Sequence, residues 1–242
     1  MHDLNDILFL PLDLPTIRVD YDKLLTVYNS LKGELLSDEY RGCEHIPIRW
    51  LDTRAIGKKE LIWTTVAEQY FPEVKEYFIK HVQPWVGSLP RMMIIVTPPN
   101  TNGLDHIDCD PSDFDQCQLK FRVVLQGMTS TLYFLNEKDE REYALECNDK
   151  PFLMCGKWPH GLDNFTNQYK FTLAIGAPWK CEPIPELMDL VTKSKNKYGW
   201  TDKSQIKLMP DYEKYFKINA MGKEKLDAVT AAEKIIFDKN DE

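Results

Sequence analysis

Between residues 90 and 176 the apolar positions fall in short runs separated by turn residues. Arg91 to Thr97 is an apolar run closed by Pro98, Pro99, Asn100 and Gly103. Further runs follow at Gln118 to Gln126, Ser130 to Leu135, Glu142 to Glu146, Phe152 to Cys155 and Tyr169 to Gly176. Many short strands punctuated by turns predict an antiparallel sandwich or barrel. On either side the period lengthens to that of a helix. Asp20 to Leu36 places Leu24, Leu25, Val27, Tyr28 and Leu31 on one side, and Val66 to Val82, interrupted at Pro72, does the same with Val66, Tyr70, Phe71, Val74, Tyr77 and Phe78. Glu186 to Ser194 and Met221 to Phe237 also read as helices. The last of these carries Leu226, Val229, Ala232, Ile235 and Ile236 on one side, to pack on the barrel or on a second copy of the chain in a homodimer. Ile7 to Leu14 is apolar but broken by prolines and reads as an edge strand, and residues 46–51 and 61–64 read as short strands.

A chain of 242 residues suffices for one buried core. We expect a single domain over 1–242: strand and helix support over 1–89, a β core over 90–180 and a helical extension over 181–242. The fold class is mainly β with flanking helices. The formal net charge of −8 argues against a broad phosphate-binding surface and so against a nucleic-acid partner. No apolar stretch approaches a membrane span, and the N-terminus lacks the basic region of a secretory signal, so a cytoplasmic protein is expected. None of the six cysteines forms a C-x-x-C pair, and they read as reduced thiols.

The candidate chemistry starts at Gly103-Leu-Asp-His-Ile-Asp. In a strand His106 and Asp108 share a face, roughly 7 Å apart at their α-carbons, while Cys109 turns to the other face. An imidazole and a carboxylate so placed can share a metal ion. A second histidine completes a 2-His-1-carboxylate triad, which leaves positions open on Fe(II) for a cosubstrate and oxygen. Downstream only His160 remains to supply it, in Lys157-Trp-Pro-His-Gly; a turn histidine with a local hydrogen bond fits that residue too. Ten positions on, Lys170, Thr172 and Ala174 alternate with Phe171, Leu173 and Ile175. A lysine facing into a barrel is costly unless an anion joins it, and a dicarboxylate ligand would supply one; a strand-end lysine reaching solvent is the alternative. Arg122 shares a face with Val124 and Gln126 and is a good bidentate partner for a carboxylate, or is a solvated strand residue. Tyr133 lies within reach of the same pocket, and Trp158 reads as core.

An H-x-D pair, a distant histidine and a basic residue ten positions further on resemble the Fe(II)/2-oxoglutarate dioxygenase superfamily. His160-x₃-Asn164-x₅-Lys170-x₂-Leu173 is similar to the second half of the aspartyl/asparaginyl β-hydroxylase-like branch, which usually has Arg at the position of Lys170 and tends to lack the carboxylate that Asp108 supplies. Lysine there is typical of the prolyl 4-hydroxylase branch. The resemblance covers roughly residues 90–180. It implies a double-stranded β-helix, a jelly-roll of the cupin kind, with Fe(II) held in its mouth by His106, Asp108 and His160. It further implies that 2-oxoglutarate meets Lys170 and Thr172 through its far carboxylate, or Arg122, since some branches hold that carboxylate or the substrate's acid group from this strand, and that the oxidoreductase uses O₂ to hydroxylate an amino-acid, peptide or protein side chain, releasing succinate and CO₂. Asp108 argues against halogenation, and Gly176 stands where nucleic-acid demethylases of the superfamily carry a second Arg. Outside that class, the same residues fit a non-catalytic β-barrel that binds a metal or ligand, or a cupin-type Mn or Zn enzyme.

Overall fold

Local chemistry sets the first half of the chain. The computed structural model describes residues 4–33, 35–38, 42–51, 60–86, 90–109, 119–128, 131–147, 149–176 and 181–206. Strand β1 (Ile7–Pro11) leads to helix α1 (Tyr21–Leu31), whose N-terminus is capped by the Asp20 carboxylate accepting from Lys23 N at 2.9 Å. The helix stops at Leu31, five residues short of the predicted end, because Gly33 adopts φ +92°. Strands β2 (Leu36–Asp38), β3 (Cys43–Leu51) and β4 (Leu61–Trp63) follow. Pro72 divides the next helical stretch as its sequence predicts: α2 (Thr65–Tyr70) ends, Phe71 takes an extended φ of −130°, and α3 (Pro72–Tyr77) restarts with proline at its first position. A π-helical turn over Phe78–Val82 joins it to α4 (Gln83–Val86).

The β region holds β5 (Met92–Thr97), β6 (Leu119–Gln126), β7 (Leu132–Leu135), β8 (Arg141–Tyr143), β9 (Phe152–Cys155), β10 (His160–Leu162) and β11 (Lys170–Ile175), followed by α5 (Pro185–Tyr198) and β12 (Thr201–Asp202). One large antiparallel sheet runs β12-β1-β9-β6-β11-β5-β3-β2, with β4 beside β3, and a smaller sheet runs β10-β7-β8. Residues 101–106 extend the small sheet through the bridges Thr101 to Asn164 and His106 to His160. From β5 onward the chain therefore passes back and forth between the sheets: β5 large, 101–106 small, β6 large, β7 and β8 small, β9 large, β10 small, β11 large. This winding is a double-stranded β-helix with flanking helices.

Strand β11 shows how side chains divide between the two faces. Phe171, Leu173 and Ile175 enter the apolar core, where the Tyr21 and Tyr28 rings of α1 meet Phe171 at 6.1 and 6.4 Å. Burying these three contributes about 5–9 kcal/mol as an upper bound. Lys170 and Thr172 turn instead into the space between the sheets.

Three expectations need correction. β1 is not an edge strand: it lies between β9 and the two-residue β12, and its residues are buried. Pro11 ends the strand, where a missing N–H breaks little of the ladder, so the proline does not mark an edge. The predicted strand at 142–146 is β8, over Arg141–Tyr143. His106 and Asp108 lie not in a regular strand but in a looped segment tied to its neighbours by single backbone contacts. The helix expected at 221–237, and the dimer contact assigned to it, fall outside the described residues. No helix among those described is long and apolar enough to cross a membrane.

Candidate metal centre and cosubstrate pocket

The backbone brings His106 and His160 face to face. Each donates its N–H to the other's carbonyl at 2.9 Å, and Asp108 N donates to Gly156 O at 2.6 Å. These contacts do the work of the strand expected there and turn His106, Asp108 and His160 toward one point. Their ligand atoms lie within 4.8 Å of one another. His106 Nδ1 is 2.8 Å from Leu104 O and His160 Nδ1 is 2.7 Å from Trp158 O. A carbonyl only accepts, so both Nδ1 atoms donate and both Nε2 atoms are turned toward Asp108, an arrangement common to metal-binding histidines. Those Nε2 atoms stand 3.6 and 3.7 Å from the two oxygens of Asp108.

The cluster opens into a cavity of about 270 Å³. Lys170 and Thr172 line it, with Thr97, Val124 and Ile95 beside them. Lys170 is 2% exposed and donates to Thr131 Oγ1 at 2.5 Å. Burial draws its pKa down to about 7, against the weaker pull of Asp149 and Asp163. The hydroxyls of Thr97 and Thr172 are buried and have no hydrogen-bond partner among the described residues. A buried amine beside two such hydroxyls has the chemistry to receive an anionic, hydrogen-bonding group.

Arg122 also lines the cavity, and its fork is engaged: one nitrogen donates to Phe121 O and Ile175 O at 2.9 and 3.0 Å, the other to Asp108 Oδ2 at 3.3 Å. The structure thus sets it against the carboxylate of the triad. Tyr133 is fully buried and stands outside the cavity wall among the described residues; its hydroxyl is within hydrogen-bond reach of Gly103 O (2.9 Å) and Asp105 Oδ1 (2.7 Å). Desolvation and the Asp105 contact raise its pKa. Trp158 packs against the core. Cys109 is buried and is not part of the metal-ligating group. Cys43, Cys109, Cys147, Cys155 and Cys181 are buried, and Cys117 lies outside the described residues.

Sequence reasoning misses the frame behind the metal loop. Asp163 has no exposed surface; it accepts from Gly103 N at 2.7 Å, from Arg141 at 3.0 and 3.1 Å and from Tyr143 OH at 2.9 Å. Arg141 also donates to Gly103 O at 3.3 Å and stacks on Tyr133 at 4.2 Å. Gly103 must be glycine: a Cβ there would lie 2.5 Å from the Leu162 backbone. Asp163 sits between Leu162 and Asn164 in a turn-rich stretch, so nothing local signals its role. Lys120 lines the cavity as well, and here a signal existed, since it precedes Arg122 by two in the same alternation.

Fold and site together define a double-stranded β-helix protein with a two-histidine, one-carboxylate cluster in its mouth. No family model and no curated protein matches the chain. Among solved structures it is similar to a prolyl-4-hydroxylase from Pseudomonas putida (13% identity, TM-score 0.39, covering 68% of this chain and 90% of that one). It is also similar to AviO1 from Streptomyces viridochromogenes (13%, 0.41, 75% and 95%). A third is an oxidoreductase of the 2OG-Fe(II) oxygenase family from Burkholderia pseudomallei (10%, 0.36, 65% and 82%).

Proposed function

We propose that the protein is an Fe(II)- and 2-oxoglutarate-dependent oxygenase that hydroxylates an amino-acid, peptide or protein side chain. The observation that carries this is the pairing, in one cavity, of the His106–Asp108–His160 cluster with the buried Lys170 ammonium. The donor set fits the metal: two neutral imidazoles and a carboxylate suit Fe(II) and leave coordination positions for other ligands. The unsatisfied hydroxyls of Thr97 and Thr172 fit the cosubstrate, since with Lys170 they offer a carboxylate one charge and two donors. When bound, the metal would supply the redox chemistry that converts substrate C–H, O₂ and 2-oxoglutarate to C–OH, succinate and CO₂.

The chain's own groups do the rest. The carbonyls of Leu104 and Trp158 hold the two imidazoles in one tautomer. Arg122 fixes one oxygen of Asp108. Lys170, with Thr172 and Thr97, orients the cosubstrate, and the apolar side chains of Ile95 and Val124 beside them limit water. Purified protein is expected to bind one Fe(II) per chain and to form succinate slowly from 2-oxoglutarate without any primary substrate. His106→Ala or His160→Ala should abolish both. Metal analysis with succinate quantification decides the matter. Normal iron content and turnover in His160→Ala would refute the site, and tight metal binding without succinate would leave an inert metal-binding barrel or a cupin-type Mn or Zn enzyme.

A further inference from the structure

The cavity has a second charged end. Strand register fixes its long axis: Lys170 of β11 stands opposite Thr97, Thr172 opposite Val124 and Ile95, and Ala174 opposite Arg122 and Met93. One further two-residue step reaches Lys120 on β6, with Gly176 and Arg91 just past the ends of β11 and β5; all three line the cavity. Six residues along a strand is roughly 20 Å, so Lys170 and Lys120 mark opposite ends. The metal cluster lies toward the Lys120 end. A Cβ on Gly156 would come within 2.8 Å of Asp108 Cβ and 3.1 Å of Lys120 Cγ and Cε, so the lysine stem crosses this glycine beside the triad's carboxylate.

Among the described lining residues the cations are Arg91, Lys120, Arg122 and Lys170, and the carboxylate is Asp108. Lys170 is assigned to the cosubstrate, and Arg122 is held by Asp108 and two carbonyls. Lys120 is 9% exposed, and the Arg91 guanidinium lies 5.0 Å from the centre of the Trp50 ring. Burial lowers the pKa of both side chains, with Asp108 pulling that of Lys120 back up in part. A cation withdrawn from water gains most from an anion brought into the same low-dielectric space. The lining also carries Met154 opposite Lys120, Phe152 opposite Arg122 and Met93 opposite Ala174, an apolar strip on the strands next to these cations.

We propose that the primary substrate is a free acid, its carboxylate held by Lys120 and Arg91 at the end of the cavity away from Lys170. Its carbon skeleton lies on Met93, Phe152 and Met154, which places a C–H between the two anion sites, at the metal. This deepens the oxygenase reading and rests on it. It favours an amino acid or short organic acid over an uncharged stretch of peptide.

The test uses the full chain loaded with Mn(II) and 2-oxoglutarate under anaerobic conditions. Calorimetric titration is run with the common free amino acids and short mono- and dicarboxylic acids, each beside its methyl ester. At least one acid is expected to bind, with its ester weaker by roughly tenfold or more. Lys120→Met and Arg91→Met should each weaken that acid by a similar factor, whereas Lys120→Arg, which keeps the charge and guards against a folding artefact, should retain most of the affinity. The proposal is overturned if acid and ester bind alike, if the acid binds Lys120→Met and Arg91→Met as it binds the parent, or if no acid binds protein that holds both metal and 2-oxoglutarate. Failure to hold Mn(II) or 2-oxoglutarate at all strikes the oxygenase reading itself, and this inference with it.

Discussion

Lys170 combines near-complete burial with a pKa drawn down to about 7. Without ligand its amine is largely neutral above that pH, whereas a bound carboxylate requires the ammonium. Binding 2-oxoglutarate then takes up a proton above about pH 7, and its affinity should fall as pH rises, approaching tenfold per unit. Titration calorimetry in buffers of different ionisation enthalpy reads the uptake directly; a flat affinity with no uptake would count against it. Lys170→Arg should flatten the profile, and Lys170→Ala should raise the 2-oxoglutarate requirement by about a hundredfold, allowing for partial solvation of the gap. The sign for stability is the reverse of that for binding. An unfolded lysine keeps its proton to near 10.5, so between about 7 and 10.5 the unfolded chain binds more protons and the ligand-free protein gains stability as pH rises.

The metal loop and β10 behave as one element. Gly103→Ala would push a methyl group against the Leu162 backbone, which cannot swing aside as a side chain can. We expect a loss of about 1–3 kcal/mol in stability and a weaker metal site, since His106 lies three residues on. Chemical denaturation and competition for iron with a chelator measure the two effects, and unchanged values in both would show that the loop yields without strain.

At this scale the sequence is readable where chemistry is local. Phe171, Leu173 and Ile175 alternate with Lys170, Thr172 and Ala174, and that period alone assigns the faces of β11. Pro72 likewise divides its helix visibly. What stays hidden depends on distant partners. β1 becomes an interior strand only because β9 and β12 flank it. Asp163 resembles any turn aspartate until Gly103 and Arg141, 60 and 22 residues away, close on it. Of the site, the His106, Asp108 and His160 set is legible from spacing, and the structure brings their ligand atoms together. The engagement of Arg122 with Asp108 is not legible, because it requires knowing which residue β6 faces.

Taken whole, the molecule is two sheets sharing one ligand cavity, so anything bound there bridges them. Ligand at a hundred times its dissociation constant adds about 2.7 kcal/mol to stability. For a chain of this size that is roughly 5–10 °C in melting temperature. Fe(II) or Mn(II) with 2-oxoglutarate should give such a shift, and His160→Ala should lose it. Differential scanning calorimetry under nitrogen checks this; a shift of equal size in His160→Ala would mean that the stabilising site lies elsewhere.

Strand β11 sits between β6 and β5 in the large sheet yet is the last of the barrel strands in the chain. During synthesis β5 and β6 therefore emerge well before the strand that belongs between them. Until it arrives each lacks a neighbour, and the cavity lacks both Lys170 and its floor. A ribosome-bound chain that ends before residue 170 can gather His106, Asp108 and His160 only on an unclosed sheet. Folding must then wait for contacts between residues far apart in sequence, which are slow to form, and a metal bound as proposed would enter a nearly finished protein.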